Sequence, residues 1–299
     1  MSLKDFIKEK RPSLSDSSIT TYSSLLRSLY KKIWEGEVEP KKFKETKKVL
    51  QALKDVPPNK RKTTLSALVI ATGDDAYRDL MLSDIKAYNQ SINKQEKTEA
   101  QEKSWVTQEE VKQKYSELQK RADKLVKKDN LTNSEMQEVQ NFIILALLSG
   151  VHIPVRRSKD YVDFKIDNID EDKDNYISPG GKELVFNSYK TSKHYGTQKI
   201  KLPTKLRNIL RRWIAINPSD YLLVDSRMNP LGGERGSSTN GAVKLNQRLE
   251  RIFGKKVGVN GLRHSIITEK YGDIEKEMKK TMKDMGSSDN QLTTYVKND

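Results

Sequence analysis

Apolar positions at helical spacing run through most of this chain. Ile19, Tyr22, Leu26, Leu29 and Ile33 form one stripe behind an N-cap at Ser15-Asp16-Ser17-Ser18, and Gly36 ends it. Phe43, Val49, Leu50 and Leu53 continue the pattern until Pro57-Pro58 stops it. Leu65, Leu68, Val69 and Ala71 then lead into a helix carrying Leu80, Leu82, Ile85 and Tyr88. Residues 1–90 therefore read as a small helical bundle. Residues 91–103, rich in Asn, Gln, Lys and Glu and poor in apolar side chains, have the composition of an exposed linker, and residues 104–299 read as a second domain.

That second domain opens with Thr107 and Glu110 at capping-box spacing, ahead of a helix with Leu118 and Leu125. Phe142-Ile143-Ile144-Leu145-Ala146-Leu147-Leu148 is too continuously apolar for a surface helix and predicts a central core element. Beyond Gly150 the period shortens. Ser178-Pro179-Gly180-Gly181 predicts a turn before the strand Leu184-Val185-Phe186. Residues 189–196 then predict a hairpin loop, returning along the alternating Gln198-Lys199-Ile200-Lys201-Leu202. Pro203-Thr204 starts a helix with Leu206, Ile209, Leu210, Trp213 and Ile214 inside and Arg207, Arg211 and Arg212 on its polar sides. Finally Leu262, Ile266, Ile267 and Tyr271 recur at helical spacing, so Arg263 projects from the start of a partly buried helix. The expected fold class is mainly α with a small antiparallel β-sheet.

Charge narrows the partners. Over 299 residues, Lys+Arg number 56 against 41 Asp+Glu, a net +15 spread over both halves. That pattern suits a polyanion gripped along a broad surface, with nucleic acid the first candidate. Lys60-Arg61-Lys62, where a loop meets a helix N-terminus, and Arg211 are candidate DNA contacts. With Cys at 0 there is no disulfide, thiolate nucleophile or zinc–thiolate site, and His152, His194 and His264 lack metal-ligand spacing. Neither metal nor cofactor is expected. Gly180-Gly181-Lys182-Glu183 and Gly232-Gly233-Glu234-Arg235-Gly236 lack the following Lys-Ser/Thr of a nucleotide P-loop. No apolar run approaches a membrane span and the N-terminus has no signal-peptide core, so a soluble, intracellular protein without a membrane partner is expected.

Four residues suggest chemistry. A buried arginine such as Arg263 needs an anion, either a carboxylate inside the fold or a phosphate from outside. Arg157 can pair with Asp160, Lys190 can be solvent decoration, and Tyr295 can anchor a terminal helix. Taken together, two arginines, a lysine and a tyrosine without metal or thiol describe phosphoryl transfer: arginine forks hold the nonbridging oxygens, lysine protonates the leaving oxygen and tyrosine attacks. A free tyrosine has a pKa of about 10, so the cationic cluster must also favour its ionised form.

The order of these residues resembles the tyrosine recombinase (phage integrase) family. Arg157-Ser158-Lys159-Asp160 stands where that family has Arg-x-x-Glu, with Arg156 as a competing register. Lys190-Thr191-Ser192 stands in the β-hairpin that carries the family's lysine. Asn260-Gly261-Leu262-Arg263-His264 matches its His-x-x-Arg box, Met285-Gly286-Ser287-Ser288 its Gly-His/Trp step, and Thr293-Thr294-Tyr295 its nucleophile. Asn260 departs from the histidine and Ser287 from the second His or Trp. The resemblance implies a helical, SAM-like core-binding domain over residues 1–90 and an α+β DNA breaking-rejoining catalytic domain over 104–299. It implies double-stranded DNA as partner, a dimer or tetramer on that DNA, and a covalent 3′-phosphotyrosyl intermediate formed without metal or ATP. Arg157, Lys190, Asn260, Arg263 and Tyr295 would be catalytic, supported by Asp160, His264 and Ser287. A site-specific recombinase or integrase of a virus or other mobile element is the first expectation. A strand-swivelling topoisomerase and a DNA-binding protein with a decayed site are the alternatives.

Overall fold

The computed structural model describes residues 2–232, 238–288 and 291–296, which places the Gly-rich stretch beyond Gly232, as far as Gly236, outside the described residues. The chain divides into two compact units, Met1–Lys97 and Thr98–Asp299. The described residues are mainly helical, with one three-stranded antiparallel sheet.

The first unit contains α1 (Leu3–Lys10), α2 (Asp16–Ile33), a 3₁₀ turn (Pro40–Lys44), α3 (Thr46–Ala52), α4 (Pro58–Thr72) and α5 (Asp75–Asn93). Residues 3–10 lie in a stretch whose hydrophobic pattern predicts no element. They are helical because Ser2 and Asp5 form a reciprocal capping box and Leu3 and Ile7, one turn apart, are buried. Pro57-Pro58 both stops one helix and starts the next, with Pro58 in the first turn of α4, where its missing N–H costs nothing. Leu26, Tyr30, Phe43, Val49, Leu65, Leu68 and Tyr77 are fully buried, and the Tyr77 hydroxyl donates to the Phe43 carbonyl at 2.6 Å. On α5 the buried side chains are Tyr77 and Asp84, whereas Leu82 points outward and is 53% exposed.

The second unit begins with α6 (Glu99–Ser104), inside the segment whose composition suggested a linker; Thr98 and Gln101 cap it reciprocally. Then follow α7 (Gln108–Leu125), α8 (Asn133–Leu148), α9 (Lys159–Val162), β1 (Tyr176–Ile177), β2 (Glu183–Phe186), α10 (Ser192–Tyr195), β3 (Gln198–Lys201), α11 (Thr204–Ile216), α12 (Ser238–Phe253), α13 (Val259–Asp284) and α14 (Leu292–Tyr295). The apolar run lies in α8, buried on all sides from Phe142 to Leu148. Gln140, also on α8, is a buried amide that serves one backbone residue twice: it accepts from the Val224 N–H at 2.7 Å and donates to the Val224 carbonyl at 2.8 Å. The sheet order is β1-β2-β3, with Tyr176 opposite Val185 and Phe186 opposite Gln198. Gly180 and Gly181 turn the first hairpin at φ of 80° and 68°, conformations that favour glycine. The Thr107–Glu110 box caps α7, and Lys255 ties it to the far end of the unit by donating to Glu110 at 2.8 Å and to the Trp105 carbonyl at 2.6 Å. Beside it Gln108 donates to Ser265 on α13. The later part of α13 is thinly packed, with Ile267, Tyr271 and Ile274 each 44–56% exposed.

Candidate active site

Gly150 ends α8 at φ 75°, and a Cβ there would lie 2.7 Å from Ile266 Cδ1, so α13 packs directly on the start of the loop leading to Arg157. His152 anchors that loop: its Nε2 is hydrogen-bonded to the Tyr115 hydroxyl at 2.7 Å. Burial lowers the pKa of His152 and pushes that of Tyr115 up to about 12, which keeps both neutral near pH 7.

Of the two adjacent arginines, Arg156 turns inward. Its Nε donates to Asp160 Oδ2 at 2.9 Å and its Nη1 to Gln198 Oε1 at 2.6 Å. Its guanidinium carbon lies 3.9 Å from the Phe186 ring centre and 4.9 Å from that of Tyr189. The direct ion pair with Asp160 that the sequence suggested for Arg157 is thus made by Arg156, while Arg157 acts on the same carboxylate through its charge. Half-buried Arg157 has no hydrogen bond or ion pair from its guanidinium among the described residues. Burial raises the Asp160 pKa against the opposing pull of Arg156 and, more weakly, Arg157, and its Oδ1 has no hydrogen-bond partner among the described residues.

Lys190 is exposed in the β2–β3 loop, with no partner among the described residues. Buried Asn175 fixes that loop through four hydrogen bonds. Its Nδ2 donates to the Asp160 and Ser188 carbonyls at 3.0 and 2.8 Å, and its Oδ1 accepts from the Asn187 and Ser188 N–H groups at 2.9 and 2.8 Å. The Tyr189 hydroxyl closes the loop by donating to the Gly196 carbonyl at 2.7 Å. Neither Asn175 nor the inward use of Arg156 was found by sequence reasoning; a lone Asn after a run of acidic residues carries no signal.

Arg263 emerges in the second turn of α13, held there by buried Leu262 and Ser265. It is half-buried. The structural salt bridge that its burial suggested is absent among the described residues; its one hydrogen bond there is to Asn260 Oδ1, at the 3.5 Å limit. Asn260 and His264 are exposed. The stacking of Arg156 on Tyr189 joins the segments that carry Arg157 and Lys190, and the Gly150–Ile266 contact sets α13 against the end of α8, where the loop to Arg157 begins.

Tyr295 lies elsewhere. It is 53% exposed on α14, its hydroxyl 3.3 Å from Ser287 Oγ, and the Ser287 N–H bonds the Met282 carbonyl at the end of α13. At 1.5 Å per residue, the unbroken α13 separates Ser287 from Arg263 by roughly 30 Å. Arginine and tyrosine side chains cannot span that.

Among the predicted DNA contacts, Lys60 is exposed and Lys62 sits over the Tyr88 ring, 3.0 Å from its centre. Arg61 is corrected. Its Nε and Nη2 fork onto the two oxygens of Asp84 at 2.8 and 2.7 Å, and Nη1 reaches the Lys54 carbonyl at 3.3 Å. A guanidinium committed to a buried carboxylate is not offered to phosphate. Arg211 is exposed on α11, while its neighbour Arg212 pairs with Asp123 at 3.2 Å. Among the described residues no His/Asp/Glu group could hold a metal, and no helix is long and apolar enough to cross a membrane.

No family model and no curated protein matches the sequence. Among solved structures, the chain is similar to a crystal structure of XerA recombinase, at 13% identity and a TM-score of 0.31 over 89% of this chain and 82% of that one. Similarity at that level decides nothing about chemistry; the side chains of this chain must.

Proposed function

We propose that this protein cuts and rejoins double-stranded DNA by phosphoryl transfer to Tyr295, in the manner of a site-specific tyrosine recombinase. The observation that carries this reading is the state of the arginines. Arg156 makes the ion pair with the buried carboxylate of its loop, so neither Arg157 nor Arg263 makes an ion pair among the described residues, and α13 packs where the Arg157 loop begins. Two forks without an ion pair of their own suit the nonbridging oxygens of a phosphate, with Asn260 adding a neutral donor. In the reaction, the Tyr295 oxygen loses its proton to solvent and attacks phosphorus. The bond from phosphorus to the 5′-oxygen breaks, that oxygen takes a proton from Lys190, and a 3′-phosphotyrosyl link retains the bond energy for rejoining. Residues 1–90, with Lys60 and Lys62 at the α4 N-terminus, would hold the duplex, and protomers would pair on it as dimers or tetramers.

Attack needs Tyr295 at the phosphate held by Arg263, so either the same copy supplies it, by bending of α13 or by folding back of the segment after it, or a second copy does. The test is a nicked suicide substrate incubated with wild type and Tyr295→Phe, read on a denaturing gel. An adduct with wild type alone supports the reading, and absence of adduct on demonstrably bound cognate DNA refutes it. Mixing Tyr295→Phe with Arg263→Ala then separates the two routes, because only donation between copies restores adduct. The distance between Tyr295 and Arg263 is the observation that favours a second reading, a DNA-binding protein without strand cleavage, for which salt-dependent binding with no adduct is the expected result.

A further inference from the structure

We infer that Arg156 is a positioning residue that locks the Arg157 loop to the Lys190 hairpin, aligning the leaving-group acid with the phosphate-binding arginine; the inference rests on the phosphoryl-transfer reading above. Arg156 is the residue immediately before Arg157, and each of its contacts lies on the other side of that junction or at its base. Nη1 reaches Gln198 on β3, the guanidinium stacks on Phe186 of β2 and on Tyr189, the residue next to Lys190, and Nε holds Asp160. Asn175 repeats the link through the backbone, joining the Asp160 carbonyl to both sides of the Ser188 peptide. A lysine at 156 would keep the charge but lose the planar fork and most of the stacking. Lys190 itself is exposed on a loop, and this junction grips Tyr189, the residue beside it.

The chemistry supplies a sharp test. A DNA whose scissile 5′-oxygen is replaced by sulfur leaves as a thiolate and needs no proton, so it rescues a misplaced acid but not a misplaced phosphate grip. Single-turnover cleavage with saturating full-length protein is compared for wild type, Arg156→Met, Arg156→Lys, Lys190→Ala and Arg157→Ala on oxygen and sulfur substrates, with DNA affinity measured separately. Arg156→Met is expected to slow cleavage of the oxygen substrate by about tenfold to a hundredfold, the usual cost of an ångström-scale misplacement, with affinity unchanged. The sulfur substrate recovers most of that loss, as it does for Lys190→Ala and not for Arg157→Ala, and Arg156→Lys falls between wild type and Arg156→Met. Gln198→Met removes one bond only and gives a smaller loss with the same rescue, which keeps the test intact if Arg156→Met folds poorly. Equal loss on both substrates, or no loss on either, overturns the inference. Absence of adduct from wild type overturns the underlying reading instead.

Discussion

The pair Arg61–Asp84 bears on both the first unit and its DNA face. Asp84 is 2% exposed on α5, and both of its oxygens are held by one guanidinium from α4. In Asp84→Ala the Arg61 charge is left in a site where its side chain is only 16% exposed. Breaking a buried pair on one side costs about 3–5 kcal/mol. Here the lower end is expected, about 3 kcal/mol, because the guanidinium keeps its bond to the Lys54 carbonyl and can turn toward water. That is roughly a hundredfold loss of hydrogen-exchange protection, since each tenfold is about 1.4 kcal/mol. The assay is native-state hydrogen exchange of α4 and α5 peptides in the full chain, for Asp84→Ala, Arg61→Met and the double variant Arg61→Met/Asp84→Leu. The double variant should recover to within about 1 kcal/mol of wild type, because it leaves no charge buried. DNA affinity of the double variant should match wild type, while Lys60→Ala weakens binding and lowers the slope against log salt by about one. A loss below about 1 kcal/mol in Asp84→Ala would refute the claim that this bond joins the two helices. A large loss of affinity in the stable double variant would restore Arg61 to the DNA surface.

Gln140→Leu should destabilise the second unit by about 2–6 kcal/mol in urea unfolding, because the Val224 N–H and carbonyl each lose a buried partner worth about 1–3 kcal/mol. Near-wild-type stability would show that water replaces the amide. His152 has a folded pKa below its ordinary 6.5, so the unfolded chain binds its proton first: the stability this supplies is full above about pH 6.5 and falls as pH drops below it. His152→Gln should flatten the fall in unfolding midpoint between pH 7 and pH 5, and an unchanged slope would assign it to other groups. At Gly272, in the middle of α13, an added Cβ would meet only Thr268 Cγ2, at 3.7 Å, so Gly272→Ala fits and favours the straight helix by about 1 kcal/mol. If Tyr295 reaches Arg263 by bending of α13 there, adduct formation slows about fivefold at unchanged DNA affinity; an equal rate places the bend elsewhere.

Where one period governed a long segment, the fold was legible. The stripe from Ile19 to Ile33 is α2, the apolar run lies in α8, and the glycine pair turns the first hairpin. What escaped depends on partners distant in sequence. Leu82 reads as part of an apolar stripe, yet Asp84 takes the inward position, because Arg61, 23 residues earlier, makes a buried carboxylate affordable. Between Arg156 and Arg157, spacing to Asp160 cannot choose: both separations suit a helical turn, and Gln198 and the Phe186 ring decide. Of the candidate site, the hairpin position of Lys190 and the helical position of Arg263 could be read locally. The distance to Tyr295 could not, since it depends on whether the chain continues as helix through Gly272, where propensity and packing pull in opposite directions.

The staple at the start of α7 also sets a schedule for synthesis. Gln108 waits for Ser265, 157 residues later, and the Trp105 carbonyl waits for Lys255. At about 5–20 residues per second, a ribosome needs on the order of ten seconds or more to deliver those partners. The first unit is complete before that interval begins and can fold while the second is still being made. Within that interval α8 emerges with α7 already made beside it, but its other apolar side stays open until α11 follows.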